Sequence, residues 1–327
     1  MDLALEVIFL IVGFALLAKG SDWLVAGSTT MAARMGIRPL VIGLTVVAWG
    51  TSAPEVVVST LGALENEPEL SMGNVLGSNV ANIGLVLGIS ALILPAVMHT
   101  SLAPRETFWL LGSVGVLWWV SADRQITRVD GAILLGALTI YNLQLLWEAR
   151  LLSVGATKEV EEPEGWLESH PVLATLLGAS GIGLAAWLTI EGATGLADRM
   201  KIDERVVGLT VVAIGTSLPE LAAGVQGALK GQSDISLGNV VGSNVFNMLG
   251  VIGVVALVRP FGGPTEPDVV EAFALNLQVD FPIVIGFSVA ALAATGLNGE
   301  KYGRTKGGLL LLAYLVYTAY LFLADRV

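Results

Sequence analysis

Two glutamates, Glu55 and Glu220, stand inside otherwise apolar stretches of the chain. A carboxylate in the middle of a membrane span costs about 2.5–3.5 kcal/mol on insertion scales, so something beside each must offset it. The residues leading up to them are nearly the same twice: G-L-T-V-V-A-W-G-T-S-A-P-E from Gly43 to Glu55, and G-L-T-V-V-A-I-G-T-S-L-P-E from Gly208 to Glu220. A second phrase follows each, G-N-V-L-G-S-N-V-A-N from Gly73 to Asn82 and G-N-V-V-G-S-N-V-F-N from Gly238 to Asn247. Gly43 and Gly208 are 165 residues apart, as are Gly73 and Gly238. An ungapped repeat of this kind predicts two equivalent halves that share one site.

The residue types point to a hard-oxygen ion site. Gly50 and Pro54, and again Gly215 and Pro219, interrupt the helices that carry the glutamates. Proline removes a backbone donor and clashes with the carbonyl one turn earlier. The carbonyls of Ala48 to Thr51 and of Ala213 to Thr216 are therefore expected to lose helical partners. Calcium takes roughly 6–8 oxygen ligands from carboxylates, carbonyls and amides. Glu55, Glu220, the Thr51 and Thr216 carbonyls, Asn82 and Asn247 supply such a set, directly or through water, and two glutamates balance one Ca²⁺. Softer metals are disfavoured: the chain has no cysteine, and His99 and His170 lie near span ends, away from the motifs. Ser78 and Asn82 share a helix face at a spacing of four, as do Ser243 and Asn247. The G-x-x-x-G glycines Gly73, Gly77, Gly238 and Gly242 are explained equally well by close helix packing. One polar residue in a span is often interhelical glue. Two polar faces at a fixed offset, each coupled to a glutamate in an apolar run, fit a site better.

The elements that must position these residues read as membrane helices. The chain is 54% hydrophobic and 14% charged, with mean hydropathy +0.76, against about 25% charged for a soluble domain. Long apolar runs, with no ~10-residue alternation, argue for helices over a β-barrel. The fold class expected is an all-α integral membrane protein of ten spans. These begin near Leu3, Pro39, Leu70, Glu106, Val129, Val172, Val206, Ile235, Phe281 and Gly307, with spans 2 and 7 broken. The hydrophilic stretch from Ser153 to Ser169 divides the chain into a first half of residues 1–152, a linker of residues 153–170 and a second half of residues 171–327. Five spans in each half is an odd number, so the halves must be inverted about an axis in the membrane plane. The repeat extends to Gly27 and Gly192 and to Arg34-Met35 and Arg199-Met200.

Placing the linker in the cytoplasm puts nine Lys and Arg on its side and seven on the other, a slight positive-inside bias. The N-terminus lacks the positive region of a cleaved signal peptide, so the first run is expected to stay as a span. A net charge of −11 gives no support for nucleic-acid binding. Lys19 and Asp22 are expected to pair locally within the first span, and Glu191 to reach an interface. Trp109, Trp118, Trp119, Trp147 and Trp166 are expected to lie in aromatic belts at the membrane surfaces.

The paired G-T-S-x-P-E and G-N-x-x-G-S-N-x-x-N phrases resemble the α-repeats of the Ca²⁺/cation antiporter superfamily, and of its prokaryotic sodium/calcium exchangers in particular. The resemblance covers essentially the whole chain. It implies that Glu55 and Glu220 ligate Ca²⁺, and Na⁺ when Na⁺ replaces it. By the same resemblance Thr51 and Thr216 contribute carbonyls and hydroxyls, and Ser52 and Ser217 are the adjacent motif serines. Ala48 and Ala213 give backbone oxygens to Na⁺ sites, Ser78 and Ser243 are hydroxyl ligands of those sites, and Asn82 is an amide at the centre. Asn247 departs from archaeal members that carry aspartate there; it keeps an oxygen and removes a titratable charge. The function implied is Na⁺/Ca²⁺ antiport by alternating access, with the long first and sixth spans as sliding gates. A Ca²⁺/H⁺ antiporter is the nearest alternative, and a cation channel is a more distant one. The expectation is a transporter and not an enzyme, in the cell membrane, with no cofactor. Its partners are Na⁺, Ca²⁺ and lipid, and a monomer suffices.

Overall fold

The computed structural model describes residues 3–64, 68–93, 104–152, 169–199, 213–262, 276–295 and 303–324. In chain order the helices are α1 (Leu3–Met35), α2 (Leu40–Thr51), α3 (Ala53–Leu64), α4 (Ser71–Ile93), α5 (Pro104–Val120) and α6 (Arg128–Leu152). After the linker come α7 (Pro171–Arg199), α8 (Ala213–Thr216), α9 (Leu218–Leu229), α10 (Asp234–Val258), α11 (Phe281–Thr295) and α12 (Arg304–Ala324). Six described helices are long and apolar enough to cross a membrane, or seven if α2 and α3 form one bent span. The expected fourth and tenth spans are α5, only 17 residues long, and α12. The expected seventh span begins, and the linker almost wholly lies, outside the described residues. One departure from an all-helical chain is a two-residue antiparallel ladder, β1 (Gln125–Ile126) with β2 (Phe261–Gly262).

Burial sorts the helices into an inner and an outer set. The most apolar 18-residue windows of α4 and α10 are 72% and 83% buried, against 22% for α1 and 28% for α6. Ile8, Ile11 and Phe14 of α1 and Ile140, Leu143 and Trp147 of α6 are exposed, as suits side chains that face lipid instead of water. The inner helices bury Met72, Val75, Val240 and Met248 against Leu110, Leu134 and Phe281 of the surrounding helices.

The helix ends follow from local chemistry. Gly36, at φ 63°, closes α1: the Ile37 N–H donates to Ala32 O at 2.9 Å and the Gly36 N–H to Ala33 O at 3.2 Å. Gly231, at φ 69°, closes α9 with the equivalent bonds to Gly227 O and Ala228 O at 2.7 and 3.0 Å. Left-handed glycine at this place satisfies carbonyls that a helix end otherwise leaves bare. Between α2 and α3 the axis bends by 43° at Ser52. Pro54 sits in the first turn of α3, where its missing N–H removes no helical bond within that helix. The break is shorter than expected, however. Ala48 O still accepts the Ser52 N–H at 3.0 Å, so that carbonyl is not released.

Close approach between the halves is built from glycine. A Cβ on Gly242 would lie 2.5 Å from Leu44 O, and one on Gly238 2.6 Å from Leu40 O, so α10 sits directly on the backbone of α2. Packing therefore accounts for these two glycines. Gly73 and Gly77 have no described atom within 4 Å of a Cβ, and the residues that the repeat would set beside them, 205–212, lie outside the described set. The outer helices α1 and α7 run antiparallel along a similar seam. A Cβ on Gly27 would meet Pro171 O at 2.7 Å, one on Gly178 Leu24 N at 2.5 Å, and one on Gly192 Glu6 O at 2.8 Å.

Several charged and aromatic expectations change. Asp22 does pair with Lys19, at 3.3 Å, but its shorter contacts reach α9: Lys230 Nζ at 2.7 Å and Gln226 Nε2 at 2.9 Å. Glu6 and Arg199 join the start of α1 to the end of α7 at 2.6 Å, a pair not anticipated because the two residues are far apart in sequence. Because α7 runs on to Arg199, Glu191 lies within the helix and not at its end. Trp109 is not a belt residue. It is buried, packs edge-on against Tyr141 and donates to Gln144 Oε1 at 3.0 Å. Trp118, Trp119 and Trp147 are exposed, Trp118 also stacking on Phe281, and Trp166 lies outside the described residues.

Candidate cation-binding centre

Four segments meet at the middle of the inner set. Two are the breaks at Ser52 and Ser217, with φ,ψ of −86°, 8° and −85°, 0°. The other two are π-helical turns that begin at the phrase-ending asparagines, Asn82–Leu87 in α4 and Asn247–Val251 in α10. A π-turn adds one residue to the helical ring and so re-aims a side chain, which is why such turns recur at functional sites. The Asn247 turn packs on α3, which carries Glu55, and the Asn82 turn packs on α9, which carries Glu220. The helix that carries each glutamate is thus met by the asparagine turn of the other half.

Glu55 and Glu220 are both fully buried and close enough to act on one another electrostatically. Ser52, three residues before Glu55, donates its hydroxyl to Glu220 Oε1 at 2.9 Å, and Ser243 donates to the same oxygen at 3.3 Å. Thr51 donates to Asn239 Oδ1 at 3.0 Å and lies 3.4 Å from Ser243 Oγ. Thr216 donates to Asn74 Oδ1 at 3.1 Å, the repeat-related bond. Asn82 Nδ2 donates to Asn244 Oδ1 at 3.0 Å. Ala48 is buried one turn before Thr51, and Ala213 lies in α8.

Several other polar atoms of the centre have no hydrogen-bond partner among the described residues. Both oxygens of Glu55, Glu220 Oε2, Ser78 Oγ, Ser217 Oγ, Asn82 Oδ1 and both ends of the Asn247 amide are buried with no hydrogen bond. No described Lys, Arg or His pairs with either glutamate, and no third acidic or histidine side chain joins them among the described residues. Buried polar groups are normally satisfied, and a buried charge left unpaired costs several kcal/mol. A cluster of orphaned oxygens around two carboxylates is the donor set that a hard cation takes. The chemistry suits Na⁺ or Ca²⁺, and the one histidine described, His170, bonds to Ser169 far from it.

Sequence reasoning missed Asn74, Asn79, Asn239 and Asn244. For Asn74 and Asn239 the signal was present. Asn74, Ser78 and Asn82 fall on one helix face at successive spacings of four, as do Asn239, Ser243 and Asn247. All four missed residues are buried.

Comparison with known proteins agrees along the whole chain. The family described as sodium/calcium exchanger protein matches residues 5–147 and 170–323. The inner membrane protein YrbG of Escherichia coli K12 is 35% identical over 322 residues, which span 96% of this chain and 95% of that one. The putative antiporter CaxA of Alkalimonas amylolytica is 34% identical over 325 residues, 96% of this chain and 98% of that one. A solved structure of the sodium-calcium exchanger NCX_Mj, soaked with 10 mM Na⁺ and zero Ca²⁺, superposes with a TM-score of 0.81 at 30% identity, covering 97% of this chain and 99% of that one. Coverage of both halves, together with this degree of identity, leaves one conclusion: the chain belongs to the sodium/calcium exchanger protein family.

Proposed function

We propose that the chain is a secondary antiporter that exchanges Na⁺ for Ca²⁺ across the cell membrane, using Glu55 and Glu220 as the shared ligands. The observation that carries this reading is the pair of fully buried glutamates, one from each half, with unpartnered oxygens around them and no described cationic side chain paired to either. The ligands are Glu55, Glu220, Thr51, Thr216, Ser52, Ser217, Ser78, Ser243, Asn82, Asn247 and the backbone oxygens of Ala48 and Ala213. One Ca²⁺ or several Na⁺ neutralise the carboxylates, so an occupied centre holds one species or the other. An empty centre leaves two uncompensated charges in a low-dielectric interior, which disfavours crossing the membrane unloaded. Exchange without leak follows from that cost.

Ten spans arranged as two inverted halves, residues 1–152 and 171–327, account for the bonds repeated at an offset of 165. The glycine seam between α1 and α7 supports these two helices as the elements that slide to open the centre to either side. The linker, residues 153–170, is cytoplasmic. Because the chain has no cysteine, a single Glu161→Cys change tests this directly: labelling only by a membrane-permeant thiol reagent in intact cells supports it, and labelling by an impermeant one refutes it.

The functional test is radioactive Ca²⁺ uptake into Na⁺-loaded proteoliposomes. Uptake is expected to need the outward Na⁺ gradient at constant pH and to fall to background in Glu55→Gln and in Glu220→Gln. Uptake driven by a pH gradient without Na⁺ would assign the same centre to Ca²⁺/H⁺ exchange. Conductance without counter-transport would make it a channel.

A further inference from the structure

The centre holds four asparagines beyond the ligand set; some of their bonds are made in both halves and others in one, as where Asn74 donates to Ser59 Oγ at 3.0 Å and Asn239 to Glu220 O at 3.4 Å. Thr51 to Asn239 and Thr216 to Asn74 are made in both halves, at 3.0 and 3.1 Å. Asn79 and Asn244 bond each other reciprocally: Asn79 Nδ2 donates to Asn244 O at 3.1 Å, and Asn244 Nδ2 to Asn79 O at 3.3 Å. These two residues are 165 apart, so the relation is symmetric. Asn82 Nδ2 to Asn244 Oδ1, at 3.0 Å, is made once. Its counterpart would run from Asn247 Nδ2 to Asn79 Oδ1, and both of those atoms are buried with no hydrogen-bond partner.

An amide beside a cation has to present its oxygen and turn its NH₂ away. The two ends are nearly the same size, so packing alone does not choose between them; an acceptor placed for the NH₂ does. Asn244 Oδ1 is such an acceptor for Asn82, which leaves Asn82 Oδ1 as the free end of that amide. The NH₂ groups of Asn79 and Asn244 are themselves committed to main-chain carbonyls. Their own Oδ1 atoms are therefore fixed as acceptors.

Resting on the exchange reading above, we propose that Asn79 and Asn244 are positioning residues, each holding the NH₂ of the central asparagine of the other half so that its Oδ1 faces the ion. Asn244 holds Asn82 in the conformation described here. Asn79 takes up the NH₂ of Asn247 when a cation draws Asn247 Oδ1 inward. The amide at position 247 is essential to this, since an aspartate there has no proton to give Asn79.

The test is a double-mutant cycle read as the Ca²⁺ concentration that half-saturates uptake in Na⁺-loaded proteoliposomes. Asn79→Ala is expected to raise that concentration about tenfold in the wild-type background and less than about twofold in an Asn247→Ala background, because the first residue acts through the second. The same relation is expected between Asn244→Ala and Asn82→Ala. A factor for Asn79→Ala that is unchanged in the Asn247→Ala background, or an unaltered half-saturation in Asn79→Ala itself, overturns the proposal. If Asn79→Ala gives no monodisperse protein, Asn79→Ser, too short to reach the amide at 247, takes its place in the same cycle with the same results for and against. A Glu55→Gln control separates the two readings. Uptake that survives it removes the exchange centre, whereas uptake lost with Glu55 but additive in Asn79 and Asn247 removes only the positioning role.

Discussion

The two carboxylates of the centre come from matching sequence and have different surroundings. Glu220 Oε1 receives hydroxyls from Ser52 and Ser243, while both oxygens of Glu55 have no hydrogen-bond partner. The serines that the repeat sets opposite Glu55 are Ser217 and Ser78, and their hydroxyls are likewise unbonded. The outer layer of the same centre is symmetric: Thr51 with Asn239 matches Thr216 with Asn74, and Ser71 bonding Ser59 O matches Ser236 bonding Gly224 O. Most of the difference lies at atoms that would touch an ion; in the outer layer it shows only at amide NH₂ groups, Asn74 donating to Ser59 Oγ at 3.0 Å and Asn239 to Glu220 O at 3.4 Å. A frame whose threonine and serine bonds repeat in both halves surrounds an inner set in which one half is closed on itself and the other is open.

The largest effect expected from this contrast is on the ion-free protein. Glu55→Gln removes an unpartnered buried carboxylate and should raise stability by roughly 2 kcal/mol or more, whereas Glu220→Gln also gives up two charge-assisted hydrogen bonds and should raise it less. Melting curves in chelator-treated, Na⁺-free detergent solution measure both, and equal shifts would break the contrast. Next is Ser52→Ala, which leaves Glu220 with one hydroxyl fewer and should cost about 1.5–3 kcal/mol, against roughly zero for Ser217→Ala under the same conditions. Thr51→Val and Thr216→Val sharpen the symmetric side. Each loses its neutral bond to an asparagine of the other half, and the two should cost about 1 kcal/mol each and agree closely. Smallest is Asp22→Asn, outside the centre. Its partly exposed bridge to Lys230 is worth about 0–1 kcal/mol, so the melting temperature should barely move.

Much of the centre was legible before any coordinates. Glu55 and Glu220 announce themselves because a carboxylate in an apolar run demands compensation, and the offset of 165 says that the demand arises twice in matching sequence. The asparagines of the frame were less legible. Asn74 and Asn239 lie on the same face as the serines, but nothing in their spacing says that they accept threonine hydroxyls from the opposite half. Trp109 was misread because aromatic residues near helix ends usually sit at membrane surfaces. Here Tyr141 and Gln144, far along the chain, draw it inward. Asp22 was only half read, since Lys19 is near in sequence and Lys230 is near only in space.

The order of residues alone determined that this chain lives in a bilayer, that it carries one design twice, and that acid stands where lipid would otherwise be, because hydropathy, repetition and charge are properties of the string. Which hydroxyl serves which carboxylate, and which of two matching halves is closed, was decided only when helices distant in sequence were brought into contact. A hydrogen bond depends on tenths of an ångström between side chains from different segments, and two nearly identical phrases facing different neighbours need not make the same ones.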